Sequence, residues 1–537
     1  MFKLRPFILL SSILCIQSVI ADVDLNNVDL NNVDLNNLGD AHPTDLKSIP
    51  LLQSLKNNNK QLQFRAPYVH ELKNRYKVRT LFVESQNLPI IDIQLTFNAG
   101  SARDEEIAAG LYGVANMAAQ LLDEGTEKYT ANEIASAFEA VGAQFSVKAY
   151  RDMFIVKLRV LSDPKKLEPA LNMMLEVLNH STFKKSSIHL MLTNTQVGQK
   201  QVQENPSRMM NIQFYRALYG KHPYAEPITG TQRSISKITP VELKQFSDQF
   251  LVAQNMNIAI TGQLNSKEAL KLSERIANNL KQGEKAKPLT QPIDKSSFDI
   301  RHMAFNSSQA HVIMGHLGTT RFDSDRLALE VANQMFGGSG FNSVLMKELR
   351  VKRGYTYGAY SSFSFSQAPG TFSLSYSTKQ DQLLDSIQVA HRALVDFVKQ
   401  PIDQKQLEET KAGMLRAFPN NYSSNANINA QLGSMGFYNQ TADYLNEYPR
   451  LLEKMTAQDV QNAIQKHILP ERLTIIVVND KLDKKALEMT LNQNLAPQAP
   501  TLKPPSIEQI PKTIITPPAK EVIDVPASFP NDAPASI

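Results

Sequence analysis

The chain has 537 residues, 42% hydrophobic and 20% charged, which is too long for one ordinary core and too apolar for a wholly disordered polymer. Its 57 Lys+Arg against 52 Asp+Glu leave a formal charge of +5, too small and too dispersed for a nucleic-acid-binding surface. A single Cys excludes an internal disulfide, a thiolate zinc cluster and an iron–sulfur centre.

That residue, Cys15, lies within residues 1–21, where Lys3 and Arg5 precede an apolar run from Phe7 to Ile20. The pattern is that of a signal peptide, with Val19 and Ala21 as small residues ahead of the cut. Bulky Leu14 disfavours lipoprotein processing at Cys15. The alternative, an uncut membrane anchor, is weakened because the run falls short of the ~20 residues of a span. Cleavage takes Lys3 and Arg5 away and leaves an exported, cysteine-free chain without a stable membrane span, expected in a periplasm or secreted beyond it. Residues 22–65 form a low-complexity leader that spells VDLNN from Val23, Val28 and Val33. At the other end, residues 491–537 form a Pro-rich tail, with ten prolines between Pro497 and Pro534, expected to be extended.

Between these ends the chain repeats itself. Gly100 and Arg103 in NAGSARDEE return as Gly318 and Arg321 in GHLGTTRFD, each behind an alternating strand. Ala115-Asn116 matches Ala332-Asn333, and Phe154, Val156 and Leu158 match Phe372, Leu374 and Tyr376. Thr239 and Thr456 each open a helix, and the strands behind them align Met256, Ile258 and Ile260 with Leu473, Ile475 and Val477. The offset is nearly constant throughout. It predicts two homologous α+β domains, residues 66–280 and 296–490, joined by a polar linker over 281–295. Each is expected to be an antiparallel or mixed β-sheet with helices packed on one face.

Gly337-Gly338-Ser339-Gly340 lacks the Lys-Ser/Thr of a phosphate-binding loop and reads as a flexible turn before a helix at Asn342. His311 and His316 are the close histidine pair, but a spacing of five on a strand points them to opposite faces. No G-x-S-x-G elbow is present.

Three segments carry a resemblance: GLYGVANMAAQLLDEGT (Gly110 to Thr126), LYGKHPYAEPITGT (Leu218 to Thr231) and FNSVLMKELRVKRGYTYGAY (Phe341 to Tyr360). They resemble the signatures of the M16 zinc metallopeptidase family, the insulinase or pitrilysin family, in its bacterial processing-peptidase-like M16B branch. The resemblance implies a duplicated domain of the LuxS/MPP-like metallohydrolase type. It also implies an inverted HxxEH helix motif, in which two His on one helix face bind zinc and the Glu activates the metal-bound water. Aligned on Glu124-Gly125-Thr126, those positions are Asn116, Ala119 and Gln120, and none replaces the family residue. The family's distal Glu ligand precedes an acidic-Asn-Pro turn, here Glu204-Asn205-Pro206, and its position falls among Gln196, Val197 and Gly198. The chain is therefore expected to bind no metal or other cofactor.

The family also pairs an Arg and a Tyr seven residues apart, matched by Arg350 and Tyr357. The resemblance implies that they bind the substrate carbonyl and the oxyanion that develops on it. Taken by themselves, Arg350 and Arg353 also suit a helix C-terminus and Tyr357 a strand. His222-Pro223-Tyr224 fits both a packing turn and a substrate contact. Some members of the branch occur as pairs, one subunit holding HxxEH and the other the Arg/Tyr pair. The expectation is the second type: the substrate-binding subunit of a heteromeric zinc peptidase that hydrolyses peptides, with zinc in the HxxEH-bearing partner and no nucleic acid bound. The alternative is a non-catalytic scaffold or peptide-binding pseudopeptidase.

Overall fold

The computed structural model describes residues 66–193, 204–340 and 342–496. The expected signal peptide, the leader, the distal-ligand position and the tail from Pro497 lie outside the described residues.

The first sheet contains β1 (His70–Leu72), β2 (Arg79–Glu84), β3 (Ile90–Phe97), β4 (Gln144–Ala149), β5 (Phe154–Leu161) and β6 (Met256–Gly262), in the order β1-β2-β6-β3-β5-β4. The second contains β7 (Asp299–Ala304), β8 (Gln309–Leu317), β9 (Ala359–Phe363), β10 (Thr371–Lys379) and β11 (Thr474–Asn479), in the order β7-β11-β8-β10-β9. Without β1 the two orders coincide, and in each the first strand pairs in parallel with the last while the other pairs are antiparallel. Both sheets are therefore mixed.

Helices α1 (Val114–Leu121), α2 (Ala131–Glu139), α3 (Pro164–His180), α4 (Pro206–Tyr219), α5 (Pro240–Phe250) and α6 (Ser266–Asn279) belong to the first half. The second half carries α7 (Arg326–Gly337), α8 (Leu383–Lys399), α9 (Gln404–Ala417), α10 (Asn425–Phe437), α11 (Tyr444–Lys454), α12 (Ala457–His467) and α13 (Lys484–Leu495). Residues 281–295 carry no regular element, and α13 continues past 490. The starts follow local chemistry. Asp163 accepts from Lys165 N–H at the start of α3, and Thr239/Glu242 and Thr456/Asp459 form capping boxes on α5 and α12, each cap contributing about 1 kcal/mol.

One face of each sheet packs on its own helices. Leu95, Phe97, Phe154 and Val156 meet Leu171, Met174 and Leu178 of α3; Met314, Phe372 and Leu374 meet Ile387 and Leu394 of α8. The opposite face is not left to solvent, because a helix from the other half covers it. Helix α4 crosses to the second sheet and lays Met210, Phe214 and Leu218 on Ile313, Leu317, Ile476 and Val478. Helix α10 crosses in the reverse direction and lays Ile428, Leu432 and Met435 on Leu81, Val83 and Ala259. Coverage from both sides explains why β6 and β11 are buried at every residue.

The two crossings differ in chemistry. The α4 crossing is mainly apolar. Under α10 lie Gln94, Thr96, Asn257 and Thr261, all buried, and the helix approaches them through Gly433 and Gly436. A Cβ at Gly433 would stand 1.9 Å from Gln94 Nε2, and one at Gly436 would stand 2.3 Å from Asn257 Nδ2. Gly337 answers to a similar demand: it ends α7, and a Cβ there would meet Ser361 N at 2.5 Å, so close packing rather than flexibility requires glycine.

Candidate functional site

The helix of the degenerate motif, α1, is tied down at its start by Asp104. Gly113, at φ 98°, turns the chain in the left-handed region so that its N–H donates to Asp104 Oδ2 at 2.7 Å, while Ala115 N–H donates to Oδ1 at 2.9 Å. Burial raises this carboxyl to about 7 although three backbone N–H bonds pull it down. On the helix itself Asn116 is half-buried, Ala119 is 4% exposed and Gln120 is exposed. Zinc does not fit these residues: Ala119 has no donor atom, the carboxamides of Asn116 and Gln120 are weak ligands beside imidazole, and none is a base.

The Arg/Tyr segment is held more elaborately. Met346–Val351 is a π-helical turn, a widening often found at functional sites. Its helical residues begin at Val344, two positions beyond the expected start at Asn342. Glu348 within it accepts from Lys352 Nζ at 2.5 Å and from Arg353 Nη1 at 2.7 Å. Arg353 Nη1 also donates to Glu348 O at 2.9 Å, so this arginine does cap the turn. Arg350 and Tyr357 are brought together: Arg350 Nη1 donates to the backbone carbonyl of Tyr357 at 2.6 Å. Thr356 Oγ1 donates to Gly358 O and accepts from Gly358 N–H, and Ala359 N–H donates to Met346 Sδ. The backbone that carries Tyr357 is thus fixed from both sides while its side chain is 84% exposed. Tyr357 stands on the rim of an open groove of about 500 Å³, together with Met210 and Asn211 of α4 and Tyr360 of β9.

His222-Pro223-Tyr224 sits elsewhere and packs. Tyr224 N–H donates to His222 Nδ1 at 3.1 Å, which leaves the ring proton on Nε2, donated to Thr290 O at 2.9 Å. Buried Tyr224 donates its phenol proton to Asp152, whose other oxygen accepts from Gln367 N–H of the second half at 2.9 Å. This network joins the halves and gives His222-Pro223-Tyr224 a packing role, while His222 and Thr290 also line an open groove of about 440 Å³.

His311 and His316 do point apart. His311 Nδ1 lies 3.3 Å from Ser207 Oγ and 2.8 Å from Ser377 Oγ, whereas fully buried His316 accepts from Leu469 N–H at 3.1 Å. A constellation that the sequence did not reveal is Asp323, Asp325 and His467, whose ligand atoms lie within 4.8 Å of one another. They come from the α7 start and the α12 end, too far apart in sequence for a spacing motif. Lys466 Nζ already lies 2.7 Å from Asp325 Oδ2, so a cation has been supplied by the chain itself and the group reads as an ion-pair clamp between helices.

Residues 79–232 match the family model described as insulinase, peptidase family M16, and residues 237–414 match that described as the peptidase M16 inactive domain. Among solved structures, a peptidase M16 inactive domain from Pseudomonas fluorescens is 33% identical, with a TM-score of 0.73 over 77% of this chain and 98% of that one. The periplasmic protease PqqL from Escherichia coli is 13% identical with a TM-score of 0.66, covering 83% of this chain and 52% of that one. A Helicobacter pylori protein named as a non-peptidase homolog, YmxG, is 24% identical over 78% of this chain and 95% of its own length. A Rickettsia felis protein described as an uncharacterized zinc protease is 27% identical over 59% of this chain and 74% of its own length.

Proposed function

The chain belongs to peptidase family M16, and from that premise we propose that it is the zinc-free, substrate-binding subunit of a heteromeric peptidase. A partner of the same fold carrying HxxEH would hold zinc and the general base. This chain contributes Arg350 and Tyr357. The observation that carries the reading is the contrast between the two halves: α1 has no group that could serve a metal, while Arg350 clamps the backbone of a Tyr357 whose phenol stays open at the mouth of a groove.

In this arrangement Arg350 acts partly by positioning, because its guanidinium holds the Tyr357 carbonyl and so fixes where the phenol can reach. The phenol then donates to a peptide carbonyl oxygen and more strongly to the oxyanion formed from it, as a preorganised donor does. Two features support export: the segment Met1 to Ala21 and the periplasmic description of the E. coli neighbour. Among the described residues no helix is long and apolar enough to cross a membrane.

The second reading is a non-catalytic scaffold or peptide-binding protein. The H. pylori relative's name as a non-peptidase homolog favours it. Assays of peptide cleavage and bound zinc on this chain alone, on an HxxEH-bearing M16 partner alone, and on their mixture separate the two. The proposal expects activity in the mixture, falling ~100-fold or more with Tyr357→Phe at unchanged stability. Equal turnover by the variant mixture would rule the role of Tyr357 out.

A further inference from the structure

The groove beside Tyr357 owes its existence to where α4 stops. This helix packs over β8 and β11, while the same face of the sheet continues onto β10 and β9. There the register places Ser375 beside Ile313 and Tyr360, and Ser377 beside His311, so Ser375, Ser377 and Tyr360 continue the face that α4 covers. Ser207, Met210 and Asn211 of α4 form one wall, Gln309, Ser375 and Ser377 the floor, and Tyr357 and Tyr360 the other wall. One residue in five of this chain is charged, yet among the described residues that line the groove none is Asp, Glu, Lys, Arg or His; His311 lies behind Ser207 and Ser377. The equivalent face of the first sheet is different, with Lys148, Lys157 and Arg159 on β4 and β5.

We propose that this groove is a side-chain subsite that selects an uncharged residue, aromatic or carboxamide, of an extended peptide whose backbone passes Tyr357. The inference rests on the reading of Tyr357 as a substrate-facing group. Tyr360 offers an exposed aromatic surface against which a ring can pack, with buried Met210 at its back wall. Asn211, Gln309, Ser207, Ser375 and Ser377 each present both donors and acceptors, which suits an amide on either of its faces. Among the described lining residues a carboxylate or ammonium would find no opposite charge, Arg350 being held on the Tyr357 carbonyl and His311 between Ser207 and Ser377, so uncharged side chains are favoured.

The test uses the full chain alone, so that it does not depend on a partner. Fluorescein-labelled peptides of one uncharged background, differing only in a central Phe, Gln, Glu or Lys, are titrated by fluorescence anisotropy. The expected result is binding of the Phe and Gln peptides about tenfold tighter than that of the Glu and Lys peptides. Asn211→Asp should narrow or reverse the Phe-over-Lys preference, and Tyr360→Ala should weaken the Phe peptide while leaving the Gln peptide unchanged. Denaturant midpoints of both variants are measured alongside, and Gln309→Glu replaces Asn211→Asp if the latter is unfolded. Absence of peptide binding, equal binding of all four peptides, or a preference that neither variant moves would overturn the subsite. Failure of the Tyr357→Phe turnover experiment, with this selectivity intact, would instead overturn the catalytic role and spare the groove.

Discussion

Replacing Asp104 with Asn removes a buried titrating group while keeping the side chain's shape. The wild-type carboxyl sits at about 7 in the folded protein against 3.8 when unfolded, because burial outweighs the N–H bonds from Ala115, Gly113 and Val114. Between those values the folded state binds a proton that the unfolded state has released. The stability due to this group is therefore complete below pH 3.8 and is lost as the pH rises through about 7. At about 1.4 kcal/mol per unit, the loss across the window comes to about 4 kcal/mol. Asn does not titrate, and like the protonated carboxyl it offers one good acceptor oxygen to the N–H groups of Gly113 and Ala115. Urea unfolding of both proteins at several pH values between 4 and 8 should then show Asp104→Asn gaining on the wild type as the pH rises toward 7. Asp248, Asp299, Asp323 and Asp325 are held low by their cationic and hydrogen-bonding partners; their contribution fades only toward acid pH and cancels in the difference. Parallel stability curves would refute the assignment of a raised carboxyl at the start of α1.

Phe214→Ala empties a site in the α4 crossing where the side chain is 1% exposed and should cost about 3–5 kcal/mol, read as a shift of one cooperative denaturation transition. Two separate transitions would mean that the crossing does not couple the halves. Gly433→Ala drives a methyl into Gln94 and should cost about 1–3 kcal/mol by the same assay. Gly413→Ala, in α9, meets nothing closer than Arg416 Nη2 at 4.0 Å and should raise stability by about 0.5–1 kcal/mol through the lost freedom of the unfolded chain.

Much of the architecture was legible because it is written in period and spacing. The alternation of Phe372, Leu374 and Tyr376 located β10 and its core face, and the Thr-x-x-acid starts located α5 and α12. The residue types at Asn116, Ala119 and Gln120 are read directly, and with them the expectation that α1 holds no zinc. The crossings were not. An amphipathic helix such as α4 declares that it has an apolar face but not which sheet will receive it. Asp92, Gln94 and Thr96 alternate as a solvent-facing row does, and only the helix arriving from the far half buries them. The π-helical turn under Arg350 and the Asp323, Asp325 and His467 clamp depend on contacts that no local pattern encodes.

The exchanged helices bear on where this chain came from and how it can be cut. A single copy of the repeat would own one sheet face with no cover and one helix with no sheet, and neither deficit can be mended from within. Two copies mend both at once, each supplying what the other lacks, which is the arrangement of an isologous dimer joined end to end. Severing the tether over 281–295 would leave two fragments that are each other's missing surface. Covalent continuity in this molecule fixes the stoichiometry of a pairing that its helices already specify.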